Sequence, residues 1–264
     1  MPRTSTLKAG SGAAGDSGDG GDYGDAVPRG LRWRLTASFT KRSRAKRLAS
    51  FVAVMRPHPS ESILDVGVTD SAWRASNFLE SGYPWPSRIT AVGLEDMPTF
   101  RRLFPDVQFR VADGRHLPFD DGAFDIGFSN AVIEHVGTRA EQQQFVAELL
   151  RTCRRVFVAT PNARFPVDPH TLLPFVHWLP RRVRAVVLRW TGNARWASIE
   201  SLNPLGARDF MGMFPRGAAP RLHRQRLLGL TTVLVVEASA PTNVATREGL
   251  AEGRCDGARG QSPR

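Results

Sequence analysis

From Ser62 to Ala238 short continuous apolar runs alternate with stretches whose apolar residues recur three and four positions apart. The runs have the length of buried strands and the intervening stretches the one-face period of helices. Such alternation predicts an α/β domain with a mostly parallel sheet covered on both faces. The expected strands are Ser62 to Val66, RITAVGL, VQFRVA, AFDIGFS and RRVFVATP, and RLHRQRLLGL with TTVLVVEA reads as a closing antiparallel pair. The first helix is expected from about Thr40 to Met55, with Leu48, Phe51, Val52 and Met55 on one face and Pro57 and Pro59 behind it.

ASNFLESGY suggests a second helix, closed by Pro84 and Pro86, and a short one follows near Pro98 to Phe104. The clearest helix start is at Thr138, because Glu141 lies at capping-box spacing and Phe145, Val146, Leu149 and Leu150 form a stripe behind it. Val183, Val186, Val187 and Trp190 repeat the helical spacing further on.

At both ends the pattern disappears. Residues 1–28 are rich in Gly, Ser, Ala and Asp, with too little apolar surface to offset the entropy of ordering, and 241–264 have the same character. We therefore expect a disordered extension over 1–28, a basic linker over 29–39, one domain over 40–240 and a disordered tail over 241–264. The chain of 264 residues suits one sizeable domain. No apolar stretch approaches the roughly 18 residues that span a bilayer, and no secretory signal is evident, so a cytoplasmic location is expected. Two cysteines, Cys153 and Cys255, support neither a disulfide framework nor a cysteine-based zinc site.

The formal charge is +11, with 36 Lys and Arg against 25 Asp and Glu. Arg29, Arg32, Arg34, Lys41, Arg42, Arg44, Lys46 and Arg47 cluster ahead of the domain, and Arg181, Arg182, Arg184 and Arg189 form a second group. These read first as solvated helix faces and second as a surface for anionic membranes or nucleic acid. Few aromatics interrupt the basic runs, which weakens a single-stranded nucleic-acid reading.

Ligands of open α/β sheets bind at the carboxyl ends of strands, near the point where strand order reverses. Those ends here carry Asp65 and Gly67, Glu95 and Asp96, Asp113 and Gly114, then Ser129 and Asn130, with Glu134 and His135 a little beyond. Carboxylates are acceptors suited to ribose hydroxyls and to the exocyclic amine of adenine. Glu95 and Asp113 would define an adenosine site. A nicotinamide dinucleotide fits less well: after Gly67 the chain runs Val68, Thr69, Asp70, Ser71, without the further glycines that admit a pyrophosphate, and Asp70 would repel one.

SILDVGVTD, ITAVGLED, VADGRHLPFDDGAFDIGFSNAVIEHV and RRVFVATPN, taken in order, resemble the successive motifs of class I S-adenosylmethionine-dependent methyltransferases, type-11-like, over about residues 60–162. The resemblance implies a Rossmann-like three-layer sandwich whose mostly parallel seven-stranded sheet ends in an antiparallel strand. It implies S-adenosyl-L-methionine as cofactor, with Asp65 and Gly67 in the turn beneath it, Glu95 on the ribose, Asp113 and Gly114 at the adenine and Asn130 near the sulfonium. Thr69 and Ser71 depart from the family's glycines. A sulfonium cofactor has no phosphate, so we expect the turn still to bind, with Thr69 supplying a hydroxyl and Asp70 accepting from the cofactor's ammonium.

His135 is the candidate general base, against the simpler reading that it and Glu134 only begin a helix. His170 and His177 are candidate substrate contacts in an insertion over about 162–217, expected to form the acceptor side. Neither histidine has the close spacing or acidic partner of a metal ligand, so no metal is expected. The expected reaction is methyl transfer to an O, N or C nucleophile of a small-molecule acceptor. The alternatives are a noncatalytic cofactor-binding pseudoenzyme and a basic interaction protein.

Overall fold

The computed structural model describes residues 31–198 and 202–241. The expected extension over 1–28 and all but Pro241 of the expected tail lie outside these residues, as does Cys255. The first helix, α1 (Leu31–Met55), begins nine residues before Thr40, so most of the expected basic linker is helical backbone. Residues 31–55 contain no Gly or Pro and many Arg, Lys, Leu and Ala, which favour helix whether or not they have an apolar face.

Five parallel strands follow: β1 (Ile63–Val66), β2 (Ile89–Gly93), β3 (Gln108–Val111), β4 (Phe124–Asn130) and β5 (Cys153–Pro161). With β6 (Arg221–Leu227) and β7 (Leu230–Ser239) they form a seven-stranded sheet in the order β3-β2-β1-β4-β5-β7-β6. The last strand, β7, runs antiparallel to both β5 and β6, as expected. Leu228 and Gly229, both at positive φ, turn β6 into β7.

Helices α2 (Phe78–Gly82), α3 (Pro98–Leu103), α4 (Arg139–Thr152), α5 (Arg181–Trp190) and α6 (Ala207–Met211) complete the fold. Alternate strand residues feed two cores, one on each sheet face. Ile63, Phe128 and Phe157 pack with Phe51 of α1, whose ring meets Phe128 edge-on at 5.1 Å. Leu64, Val66, Val156 and Val158 pack with Phe145 and Leu149 of α4. The capping box forms as expected: Glu141 donates its N–H to the Thr138 hydroxyl, and the Glu141 carboxylate accepts the Thr138 N–H at 2.7 Å.

The stripe on α5 behaves differently from an ordinary buried face. Arg184 and Leu188 turn inward, whereas Val183, Val186 and Trp190 are 48%, 62% and 93% exposed. The helix packs on its flanking 3-10 turns, Val176–Trp178 and Ala194–Trp196, rather than on the sheet. No helix among the described residues is long and apolar enough to cross a membrane.

Candidate active site

Strand order reverses between β1 and β4, so the crevice beyond their carboxyl ends is the favoured binding position of such a sheet. Gly67 leaves β1 at φ 106°, and a Cβ there would lie 2.1 Å from a Val132 methyl carbon. Its N–H is held by the Val92 carbonyl at 2.9 Å. Only glycine satisfies both the backbone and the close approach of the β4 turn. Beyond it the missing glycines are compensated by an amide: Thr69 N–H donates to Asn77 Oδ1 at 3.0 Å, and Asn77 Nδ2 donates to the Thr69 carbonyl at 2.8 Å.

Several expected cofactor contacts are engaged within the protein. Asp70 Oδ1 accepts from Phe100 N–H at 2.7 Å, satisfying a first-turn donor of α3 instead of waiting for an ammonium. Asp65 is buried against Glu80, and burial followed by the Glu80 charge pushes its carboxyl well up. The Glu80 carboxyl is raised as well, by burial. Asp65 is thus engaged with Glu80 inside the protein.

Asp113 is gripped by Arg115, whose Nε and Nη2 lie 2.9 and 2.6 Å from its Oδ2, and these hydrogen bonds hold the carboxyl below its usual range. A Cβ at Gly114 would press on Phe145 at 2.5 Å, so its smallness serves packing against α4. The two acids after β2 separate clearly. Asp96 pairs with Arg101, while exposed Glu95 makes no hydrogen bond or ion pair within the described residues.

At the end of β4, Asn130 Oδ1 accepts from Arg47 of α1. Arg47 is buried, and its guanidinium is lowered to about 10, first by burial and then by Arg44, so it is still a cation at neutral pH. Charge and periodicity had grouped Arg44 and Arg47 with a solvated basic face; the fold turns Arg47 to the end of β4 and Arg44 onto the segment after β1, where it donates to the Ala75 carbonyl and lies over the Trp73 ring. Asp125 accepts from the Ser62 N–H and hydroxyl at 2.9 and 3.0 Å, a structural clasp at the other end of β4.

Ala131, at φ 56°, turns the chain from β4 into the 3-10 turn Ile133–His135. Glu134 is 1% exposed; Oε2 accepts from the Thr160 hydroxyl at 2.9 Å, while Oε1 has no hydrogen-bond partner. His135 and His170 approach edge to face, with ring centroids 4.7 Å apart, and Trp196 leans on both at 5.4 and 5.1 Å. Their Nε2 atoms lie 4.0 and 3.9 Å from Glu134 Oε1. Burial holds the His170 imidazole below its ordinary range despite the opposing pull of Glu134.

The insertion pins this arrangement. Asn203 donates its N–H to the Glu134 carbonyl at 2.7 Å and its side-chain amide to the Gly137 carbonyl at 2.8 Å; Gln142 bridges Ile133 and Asn203 carbonyls. His177 does not join the cluster. It sits in the Val176–Trp178 turn, edge-on to Trp178, and both its ring nitrogens are buried without hydrogen-bond partners. Glu134, Arg47 and Trp196 were thus the site residues that sequence reasoning did not single out as candidates. The adjacency of Glu134 to His135 was the only signal for the first.

The sheet order, reversed antiparallel last strand and crevice define the class I methyltransferase fold. Residues 64–156 match the family model of a methyltransferase domain. Among solved structures, the chain is similar to the geranyl diphosphate C-methyltransferase of Streptomyces coelicolor A3(2), in complex with Mg2+, geranyl diphosphate and S-adenosyl-L-homocysteine. That likeness has 13% identity and a TM-score of 0.52, and covers 81% of this chain and 85% of that one. It is also similar to magnesium protoporphyrin IX methyltransferase of Synechocystis PCC 6803 with S-adenosylhomocysteine bound, at 14% identity and a TM-score of 0.51, covering 82% and 90%. No curated protein matches the sequence. The match over residues 64–156 is to a methyltransferase domain, and the fold around it is that of the class I methyltransferases.

Proposed function

We propose that the protein moves a methyl group from S-adenosyl-L-methionine to an O, N or C nucleophile of a small-molecule acceptor. The observation that carries this reading is the division of the crevice edge. Glu95 offers a carboxylate without an internal partner beyond β2, while Glu134, His135 and His170 gather beyond β4. Glu95 takes the ribose hydroxyls. The turn of Asp65 and Gly67, closed by the Thr69–Asn77 pair, lies under the cofactor, with Asp113, Gly114 and Asn130 along its adenosine and sulfonium ends.

The sulfonium supplies an activated methyl: its S–CH3 bond breaks with the electron pair passing to sulfur as the acceptor forms the new bond. The protein's part is to align donor and acceptor. His135 receives the acceptor's proton where that acceptor is a hydroxyl, and His170 and Trp196 of the insertion line the acceptor side. Arg47, at Asn130, adds a fixed positive charge on that side. A cytoplasmic setting belongs to the same proposal. The direct test is cofactor binding, since a noncatalytic cofactor-binding module would bind S-adenosylmethionine without turning over any acceptor, and a purely basic interaction protein would not bind it.

The α5 surface favours a second reading alongside the first: peripheral contact with an anionic lipid bilayer. Val183, Val186 and Trp190 are exposed beside Arg181, Arg182 and Arg189, and Phe175 and Trp178 extend the apolar surface into the preceding turn. An in-plane amphipathic helix with arginines at headgroup depth suits such a surface. Vesicles containing phosphatidylglycerol should retain the protein in a salt-sensitive manner, and pure phosphatidylcholine should retain it weakly. The V186D/W190D variant should lose about tenfold or more in partitioning; equal retention of variant and parent would exclude α5 as the contact.

A further inference from the structure

We propose that Glu134, His135 and His170 form a site for one divalent transition-metal ion at the acceptor end of the crevice. One ligand atom from each residue lies within 4.8 Å of the other two. Sequence spacing did not point to this site, since His135 and His170 stand 35 residues apart and only Glu134 adjoins one of them. The insertion returns His170 to the β4 turn and supplies the missing closeness.

The unpartnered atoms point to a ligand. Glu134 Oε1 and His170 Nε2 are both buried without a hydrogen-bond partner and lie 3.9 Å apart, too far for a hydrogen bond between them. His135 Nε2 is 4.0 Å from the same oxygen. A buried acceptor left unsatisfied is costly, and a cation between the three donors supplies Glu134 Oε1 with the partner it lacks. Zinc binds nitrogen and oxygen donors at about 2.0–2.2 Å, which places tetrahedral ligands about 3.4 Å apart. The two imidazoles therefore need to close on Glu134 by about 0.5 Å, and the widest separation by more.

The support around the ligands has the form expected of a metal site. Thr160 holds the second Glu134 oxygen at 2.9 Å, Trp196 packs on both imidazoles, and Asn203 fixes the Glu134 backbone. Two imidazoles and one carboxylate leave coordination positions open, as in catalytic zinc sites and other mononuclear divalent centres. An acceptor hydroxyl entering an open position becomes more acidic, loses its proton to solvent and attacks as a metal-held oxyanion. The new O–CH3 bond forms as the S–CH3 pair returns to sulfur, and the cation assumes the activating task that the metal-free reading gives to His135. This catalytic use rests on the proposed methyl transfer; the binding site itself does not.

Untagged protein stripped with chelator and titrated with Zn2+ alone should bind one ion per chain. Glu134→Gln and His170→Ala should each weaken binding by at least about 100-fold, and His177→Ala should leave it unchanged. X-ray absorption of the zinc-loaded parent should show two imidazoles in the first shell, an outcome independent of whether either variant folds. Absence of stoichiometric binding, a shell without two imidazoles, or full affinity in correctly folded Glu134→Gln and His170→Ala would overturn the site. Failure of methyl transfer with stoichiometric binding intact would instead count against the proposed reaction.

Discussion

Gly67→Ala should destabilise the domain by about 3 kcal/mol, combining backbone strain with overpacking. At φ 106° an alanine is strained wherever its side chain points, and here its Cβ would also meet Val132 at 2.1 Å. Gly122 provides the matched comparison because it too has positive φ, 65°, but nothing lies within 4 Å of its added Cβ. Gly122→Ala should therefore cost only about 1 kcal/mol. Urea unfolding of the two variants measures the difference, and adding Val132→Ala to Gly67→Ala should recover part of the steric loss. Equal losses at Gly67 and Gly122 would show that the close approach between the β1 and β4 turns contributes nothing.

Glu95→Ala should weaken S-adenosylmethionine binding by about 10- to 100-fold, the range for losing hydrogen bonds to a charged group. Thermal stability should barely change, because Glu95 is exposed and makes no hydrogen bond or ion pair within the described residues. Asp96→Ala removes an acid one position away that is already paired with Arg101. It should leave cofactor affinity nearly unchanged. Isothermal calorimetry on the two variants distinguishes them, and a larger loss for Asp96→Ala would move the ribose contact to that residue.

Four of the five parallel strands were legible because residues buried on both sheet faces make nearly continuous apolar runs, such as ITAV and VFVA, whereas the edge strand β3 is largely exposed. Thr138 and Glu141 were legible because a capping box is local: its donors and acceptors lie within one turn. Periodicity also located α5, but a spacing rule cannot say whether its apolar stripe meets the core or solvent. The start of α1 was missed for a related reason, since a basic segment without Gly or Pro can be helical without an amphipathic signal.

The candidate site was less readable because its contacts join distant segments. Arg47 stood in a run of positive charge, and only packing of α1 against the sheet brings it to Asn130. His135 and His170 share a site because the insertion folds back, whereas His177, seven residues further on, does not join them. Asp65, Asp70 and Asp113 carried the right chemistry for a ligand, yet partners as far away as Glu80 and Phe100, or as near as Arg115, now engage them. Residue type identifies the available chemistry; side-chain direction decides where it is used.

The most direct measurement is calorimetric titration of the purified protein with S-adenosylmethionine and S-adenosylhomocysteine, with NAD as the control. Saturable binding of the first two at one site per chain, with none for NAD, is the predicted result. Binding of NAD in their place, or binding of neither sulfur nucleoside at high concentration, would contradict the methyltransferase reading.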